Sequence, residues 1–236
     1  MADPAGGVER LRTVRAVLFD FDGTLVQQRV DFARMRRRAI EVLQGHGVDT
    51  TAIEGLHVLE MVERARRSLA QRDAARAQAL ADDARRTIEA VECEAAEEAR
   101  AIAGVPALLR DLRARGVRVG IVTRNCRAAV GRVLARQVLA YDVLLTRDDV
   151  QHVKPDPRHL GEALRLLGVA GEASAMCGDH PMDVAAGKGV GALTVGVLPE
   201  GSDPAPMAAA APDLIVPSVA ALRDPLGLDG AQDEEG

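Results

Sequence analysis

Four times along this chain a short apolar, β-rich run leads to a cluster of chemically active side chains. Val14–Phe19 runs into Asp20-Phe21-Asp22-Gly23-Thr24, and Val117–Val122 into Thr123-Arg124-Asn125. The run Asp142–Leu145 is followed by Lys154-Pro155-Asp156, and Ala173–Cys177 by Gly178-Asp179-His180-Pro181-Met182-Asp183. Between these runs lie segments of helical pattern over 106–115, 127–136 and 157–167 and near Asp183, with Gly116 and Gly168 as stops and a last strand over Leu193–Val197. Strands alternating with helices of this length predict a parallel sheet covered on both faces. Ligands of such sheets bind beyond the C-terminal strand ends. The order alone therefore gathers two carboxylates, a hydroxyl, an ammonium and two more carboxylates on one rim.

From about Val30 to Ala103 the pattern changes: Arg, Ala, Glu and Gln dominate, and there is no proline. That composition favours helix. One helix is expected over Asp31–Gln44, closed by Gly45-His46-Gly47, with Asp49-Thr50-Thr51 capping the next. Leu56, Leu59, Val62 and Leu69 form part of an apolar stripe, and Leu80, Ala84, Ile88, Val91, Ala95 and Ile102 continue it. With 236 residues, 47% of them hydrophobic, the chain can fill one core and a second small module. The reading is an α/β core formed by 1–26 and 104–228, interrupted by an all-helical insert over 27–103. Residues 229–236, acidic and poor in apolar side chains, are expected to be a disordered tail.

Charge and aromatic content remove several partners. The formal net charge is −5, against the phosphate neutralisation that drives nucleic-acid binding. The four aromatics, three Phe and one Tyr, offer no platform for stacking bases. No apolar run approaches the length of a membrane span, and Met1–Gly7 has no apolar core of a signal peptide. Cys93, Cys126 and Cys177 are far apart and form no paired motif, which fits a reducing cytoplasm. Of the 30 basic residues only Lys154 and Lys188 are lysines.

Phe19-Asp20-Phe21-Asp22-Gly23-Thr24-Leu25, Val122-Thr123-Arg124-Asn125, Lys154-Pro155-Asp156-Pro157 and Gly178-Asp179 with Asp183 together resemble the haloacid dehalogenase superfamily of phosphotransferases. All of these motifs occur in that family's order, and the helical insert falls where its helical-cap, phosphoglycolate-phosphatase-like branch carries a cap. The resemblance implies a Rossmann-like three-layer core with hinges near Val26–Gln28 and Ala103–Pro106, and a cap that closes over substrate. It makes Asp20 the nucleophile that forms an aspartyl-phosphate and Asp22 the general acid and base. Thr123, Arg124 (through its backbone amide) and Lys154 would hold the phosphoryl oxygens. Asp20, the Asp22 carbonyl and Asp179 would hold the metal, with Asp183 acting through water or from behind the direct ligands. An acid at position 22 accompanies phosphate-ester chemistry in this family. Arg124-Asn125 and His180 depart from its commoner sequences without removing a catalytic group.

The residues carry part of this reading by themselves. Two like charges about 4 Å apart cost about 4 kcal/mol at an effective dielectric near 20. A rim of four acids therefore calls for a hard divalent cation, and all-oxygen ligands favour Mg²⁺. Gly23 permits the tight turn that aims Asp20 and Asp22. Together with the resemblance, the expected function is an Mg²⁺-dependent phosphatase of a small phosphorylated metabolite (phosphoglycolate-like, a sugar phosphate or a nucleotide), cytoplasmic, monomeric or homodimeric. The alternatives are an intramolecular phosphomutase and a catalytically idle phosphate- or partner-binding module.

Other residues invite plainer readings. Gly187-Lys188-Gly189 lacks the Ser or Thr that a phosphate loop needs after its lysine, so Lys188 has no assigned role. The insert holds 12 arginines against 14 acids over 31–103, mostly surface charge, with Arg34 and Arg38 as substrate candidates because they lie close to the hinge. His46 and His57 read as surface residues, Asp183 alternatively as a helix cap, and Cys126 as packing near a helix N-terminus.

Overall fold

The computed structural model describes residues 4–228, so the tail at 229–236 lies outside it. Its contacts divide the chain into two compact units, one of 1–28 with 99–236 and one of 29–98.

The first unit is built on a six-stranded sheet. Its strands are β1 (Ala16–Phe19), β4 (Arg118–Val122), β5 (Val143–Leu145), β6 (Ser174–Gly178), β7 (Leu193–Val197) and β8 (Leu214–Val216), in the order β5-β4-β1-β6-β7-β8. Every pairing is parallel, and β1 sits between β4 and β6 with Ala16 opposite both Arg118 and Ser174. The chain first winds outward from β1 through β4 to β5, then returns to the other side of β1. That reversal creates the crevice in which open α/β sheets bind ligands.

Helices α1 (Pro4–Arg12), α5 (Val105–Ala114), α6 (Arg127–Leu134), α7 (Pro157–Leu167), α8 (Pro181–Gly189) and α9 (Ala205–Ala210) complete this unit. Ala16 and Leu18 pack with Leu160, Ala163 and Leu164 of α7 and Ala186 of α8. Val17 and Phe19 point to the opposite face and are equally buried, so both faces are covered. This is the expected α/β, Rossmann-like three-layer architecture. A short antiparallel pair, β2 (Val26–Gln27) with β3 (Arg100–Ala101), joins the two chain crossings.

The second unit contains α2 (Phe32–Gly45), α3 (Val58–Ala70) and α4 (Ala74–Ala96). Asp31 and Asp73 cap α2 and α4, accepting the amides of Arg34 at 2.8 Å and Arg76 at 2.9 Å. Ala39, Leu43, Ile53, Met61, Ala65 and Leu80 form its core.

Several local expectations are corrected. Asp49-Thr50-Thr51 caps no helix: the Asp49 carboxylate closes a turn by accepting the Thr51 amide at 3.0 Å and hydroxyl at 2.8 Å, and α3 starts only after His57. On α3 the buried positions are Met61 and Ala65, while Val62 and Leu69 flank that core half-buried and Leu59 packs on a second cluster of Met35, Ile88 and Val91. The apolar stripe of α4 ends at Ala96, because pairing with β2 draws residues 100–101 into strand. Ile102 instead donates its amide to Leu25 O at 3.0 Å. The elements α1, β2, β3, α9 and β8 carry no sequence signal strong enough to anticipate: α1 contains Pro4, Gly6 and Gly7, and the rest are two to six residues long. No helix among the described residues is long and apolar enough to cross a membrane.

Candidate active site

The Asp20 amide donates to Cys177 O at 2.9 Å, which extends the β1–β6 ladder and fixes Asp20 at the end of the central strand. Beyond it the chain turns sharply, with Gly23 N donating to Val26 O at 2.9 Å and Leu25 N to Phe21 O at 3.0 Å. Gly23 sits at φ 79°, where a side chain is strained, and a Cβ there would fall inside the Asp179 carboxylate.

Lys154 follows β5 and is 1% exposed. Its backbone N–H donates to His159 Nδ1 at 3.3 Å, and His159 is anchored in α7, whose N-cap is Asp156. Lys154 Nζ lies 2.7 Å from Asp20 Oδ1 and 2.7 Å from Asp183 Oδ1. Burial alone would lower the pKa of this ammonium, but the charges of Asp183 and Asp20 outweigh it and raise the pKa. His159 is buried beside that charge: burial first, and the Lys154 charge second, push its pKa down to about 3. The imidazole is therefore neutral, with Nδ1 as the acceptor.

Asp179 and Asp183 come from the turn after β6 and the first turn of α8. The Thr24 hydroxyl donates to Asp179 Oδ1 at 3.3 Å, and the His180 amide to Asp183 Oδ2 at 3.1 Å. His180 is the N-cap of α8; its Nδ1 accepts the Met182 amide at 3.1 Å, which is how an imidazole serves where a hydroxyl is commoner. Asp183 completes that capping box and also faces Lys154, so it is both a helix cap and a member of the acidic cluster. Gly178 leaves room for it, since a Cβ there would overlap the Asp183 side chain.

Asp20, Asp179 and Asp183 each offer an oxygen within 4.8 Å of the others. Burial first, and the neighbouring carboxylates second, raise the Asp179 pKa. Burial also raises that of Asp183, against the pull of Lys154. Three carboxylates face a single ammonium, so acidic groups are in excess there. Hard oxygen donors of this kind suit Mg²⁺.

Asp22 occupies a different setting. Its carboxylate accepts from Gln28 Nε2, from Thr123 Oγ1 at 3.4 Å and from Asn125 Nδ2 at 3.1 Å to each oxygen. Thr123 is fully buried and held on the β4–β5 ladder, its amide donating to Leu145 O at 2.9 Å. Arg124 lies on the same rim, its guanidinium against the Met182 thioether and its carbonyl accepting from Arg147 at 3.1 Å.

A parallel sheet with acids, a hydroxyl and a buried ammonium gathered beyond its C-terminal strand ends defines an enzyme of the α/β class. The chain belongs to the haloacid dehalogenase-like hydrolase family, whose model, described as "Hydrolase: haloacid dehalogenase-like hydrolase", matches residues 14–191. Over 91 residues it is 41% identical to the pyrophosphatase PpaX of Bacillus cereus (strain AH820), a match covering 38% of this chain and 42% of that protein's length. Among solved structures it is similar in fold to a HAD phosphatase from Thermococcus onnurineus, with TM-score 0.55, 24% identity, and 90% and 98% of the two chains covered. It is also similar to the β-phosphoglucomutase of Clostridium difficile, with TM-score 0.63, 16% identity, and 91% and 97% covered.

The other residues singled out in the sequence have these settings. In the helical unit, Arg34 pairs with Glu94 at 2.9 Å, while Arg38 is exposed on the same helix. His46 bonds Asp83 at 2.9 Å, and His57 occupies the N-cap position of α3. Cys126 is the N-cap of α6, its Sγ accepting the Ala129 amide at 3.3 Å. Lys188 Nζ donates to Ala210 O at 2.7 Å, satisfying the C-terminal end of α9. Sequence reasoning missed Gln28, Asn125 and His159. Asn125, two residues after Thr123 and just before a helix, carried a local signal; Gln28 and His159 carried none.

Proposed function

We propose that this protein is an Mg²⁺-dependent phosphatase of small phosphorylated metabolites, working through an aspartyl-phosphate on Asp20. The observation that carries the reading is that two carboxylates only two positions apart are held by different sets of partners. Asp20 lies among an ammonium and two further acids, whereas the Asp22 carboxylate accepts from the side-chain amides of Gln28 and Asn125 and the Thr123 hydroxyl. Paired acids in contrasting environments are how one site divides nucleophile from proton carrier.

In the proposed reaction an Asp20 oxygen attacks phosphorus and the bond to the leaving oxygen breaks. Asp22 gives that oxygen a proton. Asp22 then takes a proton from water, which attacks the same phosphorus, releasing phosphate and restoring Asp20. Lys154 orients the Asp20 side chain, and Thr123 with the Arg124 amide supports the phosphoryl oxygens. Asp20, the Asp22 carbonyl and Asp179, with Asp183 behind them, would hold Mg²⁺, which would supply charge neutralisation on those oxygens. The helical unit 29–98 is the proposed cap, with Arg34 and Arg38 as its substrate-facing candidates. The described free cysteines, all buried, support a reducing, cytoplasmic setting.

The test is a panel of p-nitrophenyl phosphate, alkyl and sugar phosphates, phosphoglycolate, nucleotides and inorganic pyrophosphate, the last included because PpaX is a named pyrophosphatase. Hydrolysis with Mg²⁺ that is abolished by EDTA or by Asp20→Asn is expected. An inactive wild type across the whole panel refutes the reading.

A further inference from the structure

The carboxylate of Asp22 has two single bonds about which it can turn, and its outer torsion is soft. A proton carrier must nevertheless present one oxygen to the reacting atom within narrow limits of distance and angle. The structure supplies the restraint from a residue that the proposed mechanism does not use. Asn125, 4% exposed, extends Nδ2 to both Asp22 oxygens at 3.1 Å. Its own side chain is held in place, because Oδ1 accepts the Cys126 amide at 2.7 Å. Its backbone is held as well: the amide donates to Thr123 Oγ1 at 3.0 Å, and the carbonyl accepts the Arg147 amide at 3.2 Å. Cys126 in turn opens α6.

An amide whose oxygen is committed to a main-chain donor cannot flip, so its NH₂ must face Asp22. The orientation of the acid is thus set by the start of α6. Gln28 Nε2 meets Asp22 Oδ1 from the segment after β2, restraining one oxygen from a second direction.

We infer that Asn125 is the positioning residue of Asp22, fixing the plane of its carboxylate for proton transfer to the leaving group. The inference rests on the acid–base role proposed for Asp22. A residue that only pins the start of α6 would affect all substrates alike. A residue that aims the acid matters most where the leaving oxygen needs a proton: an alkoxide does, and p-nitrophenolate does not.

The experiment compares kcat/KM for β-glycerophosphate and p-nitrophenyl phosphate, since this quantity reports the step in which the leaving group departs. It uses the wild type, Asn125→Ala, Asn125→Asp, Asp22→Ala and the Asp22→Ala/Asn125→Ala double variant, all with saturating Mg²⁺. Asn125→Asp keeps an oxygen for the Cys126 amide and turns the donor facing Asp22 into a repelling carboxylate, so it carries the test if Asn125→Ala does not fold. The expected result is a loss of about 100-fold on β-glycerophosphate, less than about fivefold on p-nitrophenyl phosphate, and no further loss from Asn125→Ala once Asp22 is alanine. Equal losses on both substrates, or losses that multiply in the double variant, overturn the inference while leaving Asp22 as the acid. If Asp22→Ala itself shows no dependence on the leaving group, the acid–base reading falls and this inference with it.

Discussion

Replacing Lys154 by methionine isolates what its charge does at the centre of the site, because methionine keeps a long unbranched apolar stem. Nζ is 2.7 Å from carboxylate oxygens of both Asp20 and Asp183, and each attraction amounts to about 6 kcal/mol at an effective dielectric near 20. Most of that is offset by the cost of holding the three ions away from water. Deleting one partner of a buried set costs about 3–5 kcal/mol, which for a chain of this size lowers Tm by about 6–20 °C. The loss should depend on pH. Lys154 has a raised pKa, so its contribution is complete below the ordinary lysine value and fades only in strong alkali, outside pH 5–8. Asp179 and Asp183 have raised pKa values, so the folded protein holds protons that the unfolded chain has released, and stability falls as pH rises through their folded values. Without the ammonium those values rise further. The deficit of Lys154→Met should therefore be larger at pH 8 than at pH 5 by about 2 kcal/mol or more, at about 1.4 kcal/mol per proton per pH unit. Urea unfolding of both proteins in EDTA measures it. An equal deficit at the two pH values would mean that only packing was lost and would refute the electrostatic account. Lys154→Arg is the companion: it retains charge but spreads it over a planar fork, and turnover of p-nitrophenyl phosphate should fall at least about tenfold.

Three further perturbations have defined outcomes. Gly23→Ala places a side chain at φ 79° and inside the Asp179 carboxylate, so the Mg²⁺ concentration for half-maximal activity should rise about tenfold or more; an unchanged titration would show that the turn yields. His159, its pKa pushed down to about 3, stabilises fully above its unfolded pKa and loses that contribution as pH falls, by about 3 kcal/mol between pH 6.5 and pH 4. His159→Gln should flatten the acid limb of stability measured by urea unfolding, and a parallel limb would contradict the neutral imidazole. Lys188→Met removes the donor to Ala210 O; differential scanning calorimetry should show Tm lower by about 2–4 °C, as for one exposed hydrogen bond, with kcat unchanged.

What could be read from the sequence was what lies close to a strand end. Asp20, Asp22, Thr123 and Asp179 follow β-rich runs directly, and alternation of those runs with helices dictates a parallel sheet whose rim collects them. The hidden part is made of contacts between distant positions. Asn125 meets Asp22 across 103 positions, and Lys188 reaches a carbonyl 22 positions away on another helix. The β2–β3 pair brings 26–27 against 100–101, too short for any periodicity to register. His159 reads as one more polar residue on a helix until its burial and its bond to the Lys154 amide are seen. Within the helical unit, small residues such as Ala39, Ala65 and Ala84 fill the interior, so the larger side chains that mark a stripe are not those at its centre.

The place of β1 in the sheet also governs how the protein is made. Ala16 pairs with Arg118, 102 positions later, and with Ser174, 158 positions later, while residues 29–98 form a compact unit of their own. At about 5–20 residues per second of synthesis, Ala-Val-Leu-Phe waits roughly 8–30 seconds after emerging before both of its neighbours exist. Helices of the second unit assemble through local contacts during that delay. A strand buried at every position in the finished molecule is therefore the one left longest without partners on the ribosome, where chaperone capture and premature association compete for it.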